Sequence, residues 1–303
     1  MRLTQIRDFI AVVESGSIRA AARTLGVSQP TVTKSVRSLE RELHIQLLQR
    51  NARGVVLTPP GRAFYPRARA AHVQLRKAEE EALEHGRAGG GSVSLGAGPA
   101  TLVTIVPEAV ARFRREFPGA RVRIVEGLAH QLLPALGDET LDLVLGVRPA
   151  GEVNPQFTFR PLFRSELAVA ARRGHPLRHA RSLVELAGAD WLSTSTLGLA
   201  GGPMERIFVA AGREPPRPVI RCDSYNTLVS LMARTDMIGV LQRRLLKEPF
   251  AREWLQELPV KEALPAVIAG VFARTDTPLT RAAAAMAKAV VSVARSMKAE
   301  GGA

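Results

Sequence analysis

Apolar positions recur at helical spacing from the start of the chain. In LTQIRDFIAVVES, Ile6, Phe9, Ile10 and Val13 share one face and Gly16 ends the run, so a helix is expected from Leu3 to Ser15. Ser17 suits the cap of a second, short helix from Ile18 to Leu25. Gly26 supplies a tight turn, and Ser28 caps a third helix on which Val32, Val36, Leu39 and Leu43 form an apolar stripe. Leu25 and Val27 are expected to enter the shared core. QLLQRNARGVVLT then reads as two short strands about an Asn51–Gly54 turn. Thr58, Pro59 and Pro60 suit the cap and first turn of a long helix reaching about Glu84. Along it Phe64, Ala68, Ala71, Leu75, Ala78 and Ala82 step by fours and threes, a seam that permits close helix approach. Such a seam needs a cover, from its own chain or from a second copy; the dimer is favoured because the helix leads into GRAGGG at 86–91, a flexible linker. Pro66 is expected to kink or loosen the first turns.

Beyond the linker the pattern alternates. SVSLGAG, RVRIVEG and LDLVLGV read as strands, with helices at Leu102–Phe117 and His130–Gly137 between them. A second series starts near Glu166: ELAVAA, a helix near Met204–Ala211, PVIRC, a helix at Ser224–Arg234, and MIGVL. AVIAGVFAR is one more strand, and Pro278–Met297 a closing amphipathic helix. Alternating strands and helices predict parallel sheets with ligands at strand ends, and two such series predict two subdomains with a cleft between them.

Charge changes the picture. Of the 303 residues, 1–77 hold 14 Lys and Arg against 4 Asp and Glu, whereas 78–303 hold 28 against 24. A positive charge focused on the first quarter points to a polyanion-binding module joined to something different. The single cysteine, Cys222, excludes an internal disulfide and fits a reducing compartment. MRLTQIRDFI lacks the apolar core of a signal peptide, and no apolar run reaches membrane-spanning length. A soluble cytoplasmic protein with no membrane partner is expected.

Two helices joined by a glycine turn, the second capped, make a helix-turn-helix. With Val32, Val36, Leu39 and Leu43 inward, Gln29, Pro30, Thr33, Lys34 and Arg37 face out, and Thr31 sits near the leading edge beside Ser28. The N-terminal end of a recognition helix reaches base edges in the major groove; Gln pairs with adenine, and Pro or a Thr methyl touches thymine. Lys34 and Arg37 suit phosphate or guanine.

At this point the chain resembles the LysR-type transcriptional regulators of bacteria. The resemblance rests on AAARTLGVSQPTVTKSVRSLERELHIQLLQR and on GVVLTPPG at 54–61, where Ser28-Gln29-Pro30, Leu39-Glu40, Leu43, Leu47, Arg50, Leu57-Thr58 and Gly61 match. Thr33 stands for the usual Ser, His44 for Gly at the turn before the wing, and Leu48 for Phe; Pro60 is a further departure. The resemblance implies a homo-oligomer, dimer or tetramer, that binds double-stranded promoter DNA. By family position Gln29, Pro30, Thr33 and Lys34 face the major groove, and Arg53 on the wing, with Arg50 near it, reaches the backbone or minor groove. RNA polymerase is an expected partner.

The fold so implied is a winged helix-turn-helix (1–58), a linker and dimerisation helix with its hinge (59–91), and a two-lobed α/β effector domain like type 2 periplasmic solute-binding proteins. Its first lobe would be 92–161 with 266–303, and its second 162–265. An inducer, expected to be an organic anion, would lie between the lobes. Gly98, Pro99, Ala100 and Thr101 lie at a strand-to-helix junction that favours an anion, with Thr101 supplying the hydroxyl that the family often has at position 98 or 99. Gly127–Leu128 and Gly146–Arg148 follow two further strands and should flank the same crevice. Ser193, Thr194, Ser195 and Thr196 form a hydroxyl run before Gly201-Gly202-Pro203, and line either the pocket or merely a loop. Arg148 would pair with an inducer carboxylate or sulfonate, or remain a surface charge.

The alternative is an α/β enzyme or solute-binding protein with an appended DNA-binding module. GAGPAT does not complete G-x-G-x-x-G, the six histidines lack metal-ligand spacing, Cys222 has no nearby His, and no Ser-His-Asp arrangement can be read. No cofactor, metal or catalytic residue is therefore expected. A third possibility is an architectural DNA protein without an inducer.

Overall fold

A computed structural model of the chain describes residues 1–51, 54–84, 90–149, 151–194 and 202–300. They form two compact units, the first closing with a long helix and the second opening with a strand at Ser92.

In the N-terminal unit α1 (Leu3–Ser15), α2 (Ile18–Leu25) and α3 (Gln29–Leu43) close around Phe9, Val12, Ala21, Val32, Val36 and Leu39. Ser17 and Ser28 accept from the N–H groups of Ala20 and Thr31, capping α2 and α3. Leu25 packs against this core, but Val27 stays 36% exposed, because the turn after Gly26 carries it outward. β1 (Leu48–Asn51) and β2 (Gly54–Leu57) pair antiparallel as a wing.

Three ties join wing, recognition helix and the next helix, α4 (Pro59–Glu84). Glu40 on α3 accepts the backbone N–H groups of Leu47 and Leu48 at 2.8 and 3.0 Å. Thr58 donates its hydroxyl to the Gln46 carbonyl at 2.7 Å and accepts the Gly61 N–H at 3.1 Å, capping α4. A Cβ on Gly61 would lie 2.0 Å from the Leu47 carbonyl oxygen, so only glycine allows this approach. His44 ends α3 in the left-handed conformation, φ 53°, at the position where a glycine would be unstrained.

α4 runs on through Pro66 as one helix. Its seam, however, is divided. Phe64 and Ala68 belong to the winged-helix core, Phe64 meeting the Phe9 ring edge-on at 5.6 Å and Ala68 being buried. These two are therefore covered by their own chain. Ala71, Leu75, Ala78 and Ala82, further along, are exposed.

The C-terminal unit is built on β3 (Ser92–Ala97), α5 (Pro99–Thr104), α6 (Val106–Glu116), β4 (Arg121–Glu126), α7 (Ala129–Gly137), β5 (Leu143–Val147) and β6 (Phe157–Arg172). There follow β7 (Trp191–Ser193), α8 (Pro203–Ala210), β8 (Ile220–Arg221), α9 (Tyr225–Arg234), β9 (Ile238–Gln242) and a 3-10 turn (Arg243–Lys247). α10 (Pro249–Arg252), β10 (Leu255–Glu257), β11 (Ala266–Arg274) and α11 (Arg281–Glu300) complete it. The strands run in the order β4-β3-β5-β11-β6-β9-β7-β8, with β10 on the side of β6.

The sheet is mixed rather than parallel throughout. β4, β3 and β5 are parallel, as are β8, β7 and β9, but β6 and β11 run antiparallel to their neighbours. β6 is the reason: its sixteen residues pair with β11 along one half and with β9 and β10 along the other, so one strand serves both lobes. The expected helix at 102–117 is two helices instead, because Pro107 cannot donate to the preceding turn and the chain breaks at Ile105. One core gathers Leu95, Leu145, Phe113 and Phe117 under Met286 and Val290 of α11. The other gathers Val169, Val240 and Phe208 around Trp191, which is fully buried and donates its indole N–H to the Leu186 carbonyl at 2.9 Å.

Two substitutions test the N-terminal ties. Glu40→Ala leaves two wing amides without their charged acceptor and should cost about 2 kcal/mol in urea unfolding. His44→Gly relieves a left-handed non-glycine residue and should add about 1 kcal/mol.

Candidate nucleic-acid interface and ligand cleft

The outward face of α3 begins at its cap. Ser28 Oγ and Thr31 Oγ1 share a hydrogen bond of 2.7 Å, which uses one of the two hydroxyl protons at the helix start. Pro30 lies in the first turn, where no intrahelical N–H bond is lost. Gln29 and Pro30 are exposed, and Thr33 donates its hydroxyl back to the Gln29 carbonyl at 2.9 Å, which leaves its methyl group for apolar contact. Gln29, Pro30, Thr33, Lys34 and Arg37 line one groove, continued by Arg41, His44 and Gln46 towards the wing. Arg50 lies on β1 by its backbone, opposite Val55; Arg53 is outside the described residues.

In the C-terminal unit a cavity of about 270 Å³ opens at the ends of β3, β4 and β5. Gly98, Pro99, Ala100, Thr101, Leu128 and Arg148 line it from one side, and Thr194, Gly202 and Pro203 from the other. Leu167 of β6, Val240 of β9, and Val267 and Ala269 of β11 form an apolar wall between them. The size and the mostly apolar lining are those of a small-molecule site.

Two sequence expectations change here. Ser193 does not line the cavity: its side chain is buried, with Oγ 3.3 Å from both the Thr194 carbonyl and Glu205 Oε2. Ser195, Thr196 and Gly201 fall outside the described residues. The Thr101 hydroxyl is not free to serve a ligand as donor; it is buried and points to the carbonyls of Gly98 and Leu145, at 2.9 and 3.2 Å.

Charged and polar groups that the sequence did not single out complete the wall. Arg206, His130 and Asp223 line the cavity, with Arg206 on the first turns of α8 and half-buried. Arg148 is exposed, and among the described residues its guanidinium has only a long contact of 3.5 Å to the Gly151 carbonyl. Tyr225 and Gln242 are the remaining polar members. Burial pushes the Tyr225 phenol far above its ordinary value, so it stays un-ionised. None of these residues left a signal in the sequence, since each sits on an element whose neighbours the spacing does not reveal.

Among the described residues no group of His, Cys, Asp and Glu could hold a metal ion, and no helix is long and apolar enough to cross a membrane.

Two family models match the chain. One, the bacterial regulatory helix-turn-helix protein of the lysR family, covers residues 3–62; the other, the LysR substrate binding domain, covers residues 86–295. The HTH-type transcriptional regulator PcaQ of Agrobacterium fabrum is 30% identical over 280 residues, which span 91% of this chain and 90% of that protein. An SDS degradation transcriptional activation protein from a Pseudomonas strain is 30% identical over 297 residues, 94% of each. The fold is also that of full-length CbnR complexed with its target DNA, with a TM-score of 0.70 at 20% identity over 97% of this chain and 100% of that one.

The Thr101 geometry is open to measurement. Thr101→Val removes a buried donor from two carbonyls that keep other partners, and should lower stability by about 1 kcal/mol in urea unfolding.

Proposed function

Because this chain belongs to the LysR family of bacterial DNA-binding transcriptional regulators, we propose that it binds promoter DNA as an oligomer through α3 and answers to a small organic anion in the cleft of its C-terminal unit. The observation that carries the first part is the composition of the α3 groove. Its leading positions, Gln29, Pro30 and Thr33, are uncharged and shaped for base edges, while Lys34 and Arg37 follow behind. Ser28 and Thr31 hold the helix start. Arg50 on β1, and Arg53, which lies outside the described residues, add contacts to the DNA backbone or minor groove.

We assign 1–58 to DNA binding, 59–91 to the linker helix and hinge, 92–161 with 266–303 to the first effector lobe, and 162–265 to the second. The linker helix pairs with that of a second copy through Ala71, Leu75, Ala78 and Ala82, whose exposure leaves them available. Phe64 and Ala68 do not take part. Two copies present two recognition helices, and the DNA site then has dyad symmetry.

For the cleft, the support lies in Arg148 and Arg206 beside an apolar wall, with no ion pair to either among the described residues. Such cations suit a carboxylate or sulfonate. The ligand shifts the arrangement of the lobes, and with it the spacing of the paired heads, and the bound oligomer acts on RNA polymerase.

Footprinting on the DNA upstream of its own or a neighbouring gene tests the reading; no protection, with affinity indifferent to salt, would sink it. Within it, Gln29→Ala should relax discrimination between sites, whereas Arg37→Ala should weaken binding to all sequences and reduce the salt slope by about one. Equal loss of specific and non-specific binding in both variants would refute this division of roles.

A further inference from the structure

The residue that ends the reading helix breaks a local rule. α1 and α2 each end on a glycine in the left-handed conformation, Gly16 at φ 64° and Gly26 at φ 66°. α3 ends in the same conformation, φ 53°, but on His44. A Cβ there crowds the following carbonyl oxygen, so histidine is less stable than glycine at this position. No contact within the fold offsets that strain. His44 is exposed, lies outside the core of the N-terminal unit, and its ring makes no hydrogen bond or ion pair among the described residues. Strained residues that serve no local contact cluster at functional sites.

The surroundings of His44 point to its partner. Lys34, Arg37, Arg41 and His44 step by three, four and three along α3, and all are exposed. They line one groove, whose leading end holds Gln29 and Pro30. Glu40, an acid in the same groove, is committed to the amides of Leu47 and Leu48. His44 lies fifteen residues beyond Gln29. That is about 22 Å along the helix axis, whereas the major groove is about 12 Å wide. With Gln29 at base edges, the far end of the stripe leaves the groove and meets the sugar-phosphate backbone. An imidazole there can donate a ring N–H to a phosphate oxygen, and a glycine cannot. Resting on the reading above that α3 enters the major groove, we infer that His44 is a DNA-contacting residue that holds a phosphate at the edge of the site. It reads no base itself. It fixes the register in which α3 presents Gln29, Pro30 and Thr33 to the base edges.

The test sets stability against affinity on the full chain, with the duplex that the footprint protects. His44→Gly should raise the melting temperature and yet weaken binding to that duplex about threefold to tenfold. His44→Lys keeps a donor in the left-handed position, and should bind within about twofold of the wild type or more tightly, with a salt slope steeper by about one. In ethylation interference, at least one phosphate should matter to the wild type and not to His44→Gly, while the remaining pattern is shared. If His44→Gly binds as tightly as the wild type, or shows the same interference pattern, the inference is wrong and the role of α3 stands. A lower melting temperature for His44→Gly would show that the histidine serves the fold, and would overturn the inference as well. If the wild type protects no DNA, the reading of α3 falls, and the inference falls with it.

Discussion

The antiparallel ladder between β6 and β11 governs the C-terminal unit. Nine successive residues of β11 pair with β6, whose remaining length pairs with β9 and β10. The ladder is bent at Ala269 and Gly270 by a register shift, where Phe159 and the Arg160 carbonyl press so close that a Cβ on Gly270 would lie 2.4 Å from either. Leu167, Val267 and Ala269, which wall the cavity, belong to these two strands. The apolar wall of the cavity is therefore built on a strand pair whose ladder spans nine residues of β11. The polar groups of the cavity come from the loops, helix starts and strand ends on either side.

The N-terminal unit separates holding from reading in a similar way. Glu40, Thr58 and Gly61, members of the sequence motif, act inside the unit. They receive wing amides, cap α4 and admit a carbonyl at close range. Other members of the motif, Gln29 and Pro30, are exposed, as are Lys34 and Arg37 on the same helix. Buried and exposed positions interleave along α3 because a helix buries one face and frees the other.

That interleaving also explains what the sequence made legible. α1 to α4 were readable because each carries an uninterrupted apolar period bounded by a serine, glycine or proline signal. β11 was readable as a continuous apolar run. The first half of β6 was hidden: FTFRPLFRS includes Pro161 and three arginine- or serine-bearing positions, since that half has exposed faces. β7 was obscured by its place beside a hydroxyl-rich stretch, although Trp191 and Leu192 are both buried. In the cleft, the glycine-rich strand ends of the first lobe were visible from spacing. Arg206, Tyr225 and Gln242 were not, because only the tertiary fold brings α8, α9 and the end of β9 to one wall. The seam on α4 was visible as a period, but a period does not say which neighbour takes which step, and Phe9 took the first.

The close seat of Gly61 on Leu47 has a mechanical meaning. It clamps the root of the long helix to Leu47, the residue that leads into the first strand of the wing, while Glu40 clamps the same residue to the reading helix. Reading helix, wing and helix root thus behave as one lever arm with no joint at its elbow. Any twist applied to the long helix must arrive at the DNA as a rotation of the whole head, rather than being absorbed between helix and wing.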